Sequence, residues 1–200
     1  MIGRLGVFGG TFDPIHLAHL VLAEQAREQL QLDQVLFVPA LIPPHKMTRT
    51  LSPPKVRLEM VELAVAGHAN FAVSDLELRR SGPSYTVDTL RTLREQHPQV
   101  ELFLLLGGDS LVDFPSWREP AEILSLAKLG VMKREGASSP KDPSGWEKEL
   151  AKNVSFIEAP LLEISGTDLR RRVKEHRSIR YLVPASIEAF IDAQGLYRDD

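Results

Sequence analysis

Leu5-Gly6-Val7-Phe8-Gly9-Gly10-Thr11-Phe12-Asp13-Pro14-Ile15-His16-Leu17-Ala18-His19 joins a short apolar run to two glycines and then to the start of an amphipathic stretch. Leu5–Phe8 has the length and composition of a buried strand. From His16 to Leu30 the apolar side chains Leu17, Leu20, Val21, Ala23 and Leu30 recur at helical spacing among charged residues, which predicts an amphipathic helix. Strand, glycine turn and helix in that order open an α/β unit. Further strand-like runs stand at Val35–Val38, Phe71–Val73, Leu102–Leu106, Leu129–Met132 and Val154–Ile157. Helical spacing returns at Val56–Ala66, Val87–Leu93 and Ala185–Ala193, the last followed by Gly195 as a stop. Alternation of this kind predicts a doubly wound, mostly parallel sheet with helices on both faces.

The remainder of the chain sets bounds on that reading. Its 200 residues, 22.3 kDa with 43% apolar side chains, suit one domain over 1–200 with a continuous core. A C-terminal helical part from about residue 165 belongs to it. Two stretches interrupt the rhythm. Pro39–Pro54 holds five prolines and predicts a long loop after the second strand. Arg134–Gly145, rich in Gly, Pro, Ser and Lys, predicts another excursion. A net charge of −3 removes the basic field of a general nucleic-acid coat, and with few aromatics the expected partners exclude nucleic acid. The absence of cysteine excludes disulfides, thiolate metal sites and a cysteine nucleophile. The N-terminus reads as a first strand, not a leader, and no apolar run is long enough to span a membrane, so the expected location is the cytoplasm. The apolar positions leave a homo-oligomer open.

In an open parallel sheet, ligands sit beyond the carboxyl ends of the strands. Gly9 and Gly10 would let backbone amides approach an anion and would supply the φ values of a tight turn. The following helix aims its N-terminal N–H groups at the same point. The turn is neither a Walker loop nor a spaced dinucleotide fingerprint. His16 and His19, three apart, project from one side of the first helical turn and can donate to phosphate oxygens. The alternative is that one caps the helix while the other packs in the core. A resident metal lacks a third ligand at recognisable spacing. Near the other end, Ile164-Ser165-Gly166-Thr167-Asp168-Leu169-Arg170 forms a second helix start with Ser165 as N-cap. Its amides, hydroxyls and Arg170 would make a second phosphate clamp if it faces the first turn. Arg171 and Arg172 read as a solvated helix face.

These segments, together with PALIPPHK at Pro39–Lys46, SGPSYTVDTL at Ser81–Leu90, LLGGDSLVDFPSW at Leu105–Trp117, KREG at Lys133–Gly136 and the closing AFIDAQGLY, resemble the bacterial nicotinate-nucleotide adenylyltransferases. That family lies within the H-x-x-H nucleotidyltransferases of Rossmann-like fold. The resemblance implies transfer of AMP from ATP to nicotinate mononucleotide, with Mg²⁺ as the companion of ATP. It implies His16, His19 and Arg170 as catalytic groups. It places ATP against Gly9, Gly10, Thr11, Phe12, Gly107, Asp109, Arg134, Ile164, Ser165 and Thr167 as well, and the acceptor nucleotide against Lys46, Ser84, Tyr85, Thr86, Asp109 and Trp117. Two positions depart from the family pattern: Ala18 stands where many relatives have glycine, and Gly166 where many have serine. Two rival readings share part of the pattern, a pantetheine-phosphate adenylyltransferase and a catalytically silent nucleotide sensor.

Such a reaction needs no strong base, because the attacking phosphate is already an anion. Positioning can supply ~7–11 kcal/mol, and one well-placed donor to developing charge ~3–4 kcal/mol. Cations and amides are therefore the expected catalysts. At the acceptor end, N–H donors of the helix beginning near Thr86 would favour a carboxylate over an amide. Trp117 would stack on the pyridinium ring, or else serve as a half-buried core aromatic. Tyr85 reads more naturally as packing, and Lys46 as either a phosphate contact or a solvated lysine.

Overall fold

The computed structural model describes residues 2–43, 51–132 and 152–198. Six strands, β1 (Arg4–Gly10), β2 (Gln34–Pro39), β3 (Phe71–Val73), β4 (Glu101–Gly107), β5 (Lys128–Met132) and β6 (Val154–Ile157), form one sheet in the order β3-β2-β1-β4-β5-β6. Every neighbouring pair is parallel. The chain winds outwards from β1 to β3, then crosses back to β4 beside β1 and winds outwards the other way. The reversal between β1 and β4 opens a crevice at their carboxyl ends. Gly9-Gly10 end one strand there and Gly107 ends the other.

Each expected strand is present, some extended by a residue or two. Alternating side chains divide β1 and β4 between two cores. Leu5, Val7, Leu102, Leu104 and Leu106 pack with Val87, Leu90 and Leu93 of α3 (Thr86–Gln96) and Ile123 of α5 (Pro120–Leu126). Phe8, Phe103 and Leu105 face the other way, onto Leu22, Ala23 and Ala26 of α1 (Leu17–Gln29) and Met60, Val61 and Val65 of α2 (Pro54–Val65). The same core takes Leu169 of α6 (Gly166–Lys174) and Ile187 and Ile191 of α7 (Ala185–Ala193), so the C-terminal helices share it with the first two. Among the described residues no helix is long and apolar enough to cross a membrane.

Proline placement refines the sequence reading. Pro39 ends β2 rather than lying outside it, and pairs with Gly10. Its missing N–H falls on the side where β3 has already ended at Val73. Pro54 opens α2, a position at which the lost N–H has no intrahelical partner in any case. Two short helices, α4 (Gly108–Asp113) and α5, have no counterpart in the sequence periodicity. With six and seven residues they offer too few turns for a 3.6-residue pattern to emerge.

Leu105 is 1% exposed. Leu105→Ala is expected to lower the unfolding free energy by about 2–5 kcal/mol, against less than about 0.5 kcal/mol for Leu161→Ala at an exposed position. Urea titrations of the two variants check this; equal losses would remove Leu105 from the core.

Candidate active site

β1 delivers the chain into a turn that the glycines serve differently from the sequence expectation. Neither Gly9 nor Gly10 has a positive φ; the left-handed residue is Phe12, at 49°. A Cβ on Gly10 would stand 2.7 Å from the Phe12 ring, so Gly10 makes room for that ring. Around the Cβ positions of Gly9 and Gly107 no described residue beyond the chain neighbours comes within 4 Å. The open space at the sheet reversal therefore lies over these two residues. Phe12 itself, expected beside ATP, turns its ring into the core, against Phe8 at 5.6 Å and Phe37 at 6.0 Å. Only its backbone faces the turn. A non-glycine residue in this conformation costs of order 1 kcal/mol and persists where its surroundings fix it.

Those surroundings include three residues that motif reading missed. Asp13, 4% exposed and joined to Pro14 by a cis peptide, accepts the Tyr197 hydroxyl at 2.7 Å and the Ser52 N–H at 3.2 Å on its two carboxylate oxygens. Arg57, 1% exposed, donates to the carbonyl of Thr11 at 2.8 Å. Burial pushes the Tyr197 hydroxyl far above its ordinary range, helped by the Asp13 charge, and it stays protonated. Burial alone pulls the Arg57 guanidinium downwards, against the attraction of Asp13. In the sequence Asp13 is embedded in a turn motif, while Arg57 and Tyr197 look like ordinary helix and tail residues; a buried arginine has no periodic signature.

His16 is the N-cap of α1 and lies 5% exposed. Its ring stacks on His19 with centroids 3.6 Å apart and 22° between planes. The two histidines do leave the same side of the helix, but the first is also the cap and the second also packs, edge-on to Phe12 at 5.1 Å. The expected alternatives coexist. The His16 backbone N–H donates to Nδ1 of His19 at 3.2 Å. An Nδ1 that accepts puts the ring proton of the neutral imidazole on Nε2, so His19 is the Nε2–H tautomer. His16 Nδ1 is buried without a hydrogen-bond partner.

The second helix start faces the first. Arg170 Nη1 donates to the Asp13 carbonyl at 2.6 Å, and its Nη2 to Thr167 Oγ1 at 3.4 Å. A Cβ at Gly166 would stand 2.9 Å from that carbonyl oxygen, so the glycine allows the close approach of α6, beyond merely dropping a hydroxyl. Ser165 Oγ accepts the Asp168 N–H at 3.2 Å. The Asp168 carboxylate is held by Arg171 and Arg172 instead of returning to the cap, which makes those two arginines part of the surface. Ile164 packs against the core of α1 and α2.

At the segment expected to meet the acceptor, α3 begins at Thr86 with Tyr85 as N-cap and, among the described residues, no side-chain cap bond. Ser84 has its side chain engaged elsewhere. Its Oγ accepts the Leu41 N–H at 2.9 Å, and the same hydroxyl favours the charged form of the Glu77 carboxyl. Glu77 is 6% exposed, its carboxyl raised by burial despite a 2.6 Å bond from Thr89 Oγ1. Tyr85 packs against the core of α3 and α5 and under the Arg118 guanidinium, 4.6 Å from its ring centre. Trp117 is half-buried against Phe114 at 5.6 Å. Asp109 is exposed in the first turn of α4, close after Gly107. Lys46 and Arg134 lie outside the described residues.

Burial pulls His16 from 6.5 to about 4. Between those values the unfolded chain holds one proton more than the folded chain. Stability from this site is complete above about pH 6.5 and is lost towards pH 4, by about 3 kcal/mol in all. From pH 7 to pH 4.5 the unfolding free energy of the wild type is expected to drop by about 2–3 kcal/mol more than that of His16→Gln. Equal drops in urea titrations would mean that His16 is charged in the folded protein.

The cytidylyltransferase-like family model matches residues 7–172. A probable nicotinate-nucleotide adenylyltransferase of Thermomicrobium roseum is 48% identical over 198 residues, 98% of this chain and 92% of that one. Its counterpart in Thermus thermophilus is 48% identical over 195 residues, 98% of this chain and 100% of that one. Among solved structures, the nicotinic acid mononucleotide adenylyltransferase of Plasmodium falciparum complexed with NaAD aligns with a TM-score of 0.80 over 99% of this chain and 98% of that one. At 21% identity that likeness concerns the fold. Identity near one half along whole chains, with the sheet order and facing helix starts described above, makes this chain a member of the cytidylyltransferase-like family, in its nicotinate-nucleotide adenylyltransferase branch.

Proposed function

We propose that the chain transfers AMP from ATP to nicotinate mononucleotide, giving nicotinate adenine dinucleotide and pyrophosphate, a step of NAD biosynthesis in the cytoplasm. The observation that carries this reading is the bond from Arg170 to the Asp13 carbonyl. It brings a guanidinium and two helix N-termini to one side of the glycine turn, a concentration of N–H donors suited to a polyphosphate. The triphosphate would lie over Gly9 and Gly107, with His19 Nε2–H donating to it and Ser165, Thr167 and Arg170 on its outer side. An acceptor phosphate oxygen attacks the α-phosphorus as the bond to pyrophosphate breaks, and the negative charge moves onto the leaving group.

His16 serves as a neutral support for the His19 ring, a narrower role than the phosphate donor expected from sequence. Among the described residues no cluster of three or more His, Asp or Glu could hold a metal ion. A Mg²⁺ accompanying the triphosphate would neutralise phosphate charge when bound. Gly9, Gly10 and the His19 donor then orient the polyphosphate, and Asp109 stands between the two substrates.

At the other end, the nicotinate carboxylate would meet the amides that open α3 at Thr86, with Trp117 against the pyridinium face. The Ser84 hydroxyl, already accepting from Leu41, acts by shaping this segment. Tyr85 contributes through its backbone, its ring being held under Arg118. A pantetheine-phosphate acceptor would leave these groups unused, and a silent sensor would have no need of the His19 donor.

Pyrophosphate release measured with ATP and, in turn, nicotinate mononucleotide, nicotinamide mononucleotide and phosphopantetheine tests the reading. Turnover is expected with the first, at a kcat/KM more than about a hundredfold above the second; release only with phosphopantetheine, or none, overturns it. His19→Ala is expected to lower kcat at least about a hundredfold with a much smaller change in acceptor KM. A near-parental kcat would remove His19 from the reaction.

A further inference from the structure

Arg57 donates through three nitrogens to three backbone carbonyls and to no carboxylate: Nη1 to Thr11 at 2.8 Å, Nη2 to Leu41 at 3.1 Å and Nε to Ser52 at 3.0 Å. Thr11 belongs to the turn between β1 and His16. Leu41 and Ser52 lie on the connection from β2 to α2. Leu41 continues the chain of bonds, because its N–H donates to Ser84 Oγ at 2.9 Å while the Ser84 N–H donates to Ile42 O at 2.9 Å. Glu77, whose carboxyl the Ser84 hydroxyl steadies, accepts from Thr89 on α3. Ser52 returns to the turn through its N–H on Asp13. One buried guanidinium thus sits between the glycine turn and the segment that starts α3.

We propose that Arg57 is a positioning residue that couples the two substrate sites, so that a nucleotide triphosphate on the turn strengthens binding of the acceptor nucleotide. This rests on the assignment above of ATP to the turn and of the acceptor to Ser84–Thr86. Arg57 touches neither ligand. Its planar fork fixes the relative placement of the Thr11 and Leu41 carbonyls. A ligand that orders Thr11 orders the fork, and with it Leu41 and the two bonds that tie Leu41 and Ile42 to Ser84. Coupling of this kind is reciprocal, and it is established by measured coupling, not by the bonds alone.

Calorimetric titration of nicotinate mononucleotide, with and without saturating α,β-methylene-ATP, reads the coupling directly. In the wild type the triphosphate analogue is expected to tighten acceptor binding at least about fivefold. In Arg57→Lys, whose compact ammonium cannot hold three carbonyls in one plane, the factor is expected to fall to within about twofold of unity. A wild-type factor of one, or an undiminished factor in Arg57→Lys, overturns the proposal. Direct contact between the two ligands would leave the factor intact in the variant, and so counts against it. Should Arg57→Lys fail to fold, hydrogen exchange on the wild type decides: the analogue alone is expected to slow exchange of the Leu41 and Ser84 amides several-fold, and unchanged rates overturn the proposal. Turnover of ATP with nicotinate mononucleotide is followed in parallel. Its absence in the wild type overturns the functional assignment, whereas normal turnover without coupling overturns only the role of Arg57.

Discussion

The carbonyl of Asp13 accepts from Arg170, 157 residues away, and this bond fixes the geometry on which the rest of the site depends. A carbonyl oxygen that meets a guanidinium turns its own peptide unit, so the bond sets the orientation of the turn as well as the position of α6. The side chain of Asp13 is fixed as firmly, by Tyr197 and Ser52. Phe12 can therefore remain in a left-handed conformation with its ring in the core. Strain in a turn is tolerated where neighbouring bonds leave it no alternative. Here those bonds come from the C-terminal region and from the first crossover.

The sheet was readable from sequence because its central strands are buried on both faces and carry unbroken apolar runs; Leu102–Leu106 is the clearest. α1 and α7 were readable from periodicity. α4 and α5 were not, being too short to show it. In the site, the glycine turn, the two histidines and the second helix start were readable as motifs, since each combines residue types that an anion site requires. The division of labour inside them was not. Gly10 accommodates Phe12, Ser84 braces Leu41, and the bonds of Asp13, Arg57 and Tyr197 span separations of up to 184 residues that no local pattern records. Contacts of that range exist only once the sheet has formed.

The electrostatic character of the site is local. The chain carries a net charge of −3, yet the turn gathers N–H donors: helix amides, Arg170 and the imidazole of His19. Amide donors keep their strength without a counter-ion, whereas an exposed cluster of cations would be screened by salt within about 10 Å. The buried carboxylates nearby, Asp13 and Glu77, are both turned into protein hydrogen bonds. Both are thereby satisfied within the protein.

The open space around Gly9 and Gly107 separates two kinds of selection. Among the described residues a methyl group at either position would touch nothing within 4 Å beyond its own chain neighbours, so the polypeptide would fold and melt much as before. On the assignment proposed above, the same methyl would intrude on the volume given to the triphosphate. A survey of variants by thermal resistance would pass over both positions, and one by growth would single them out.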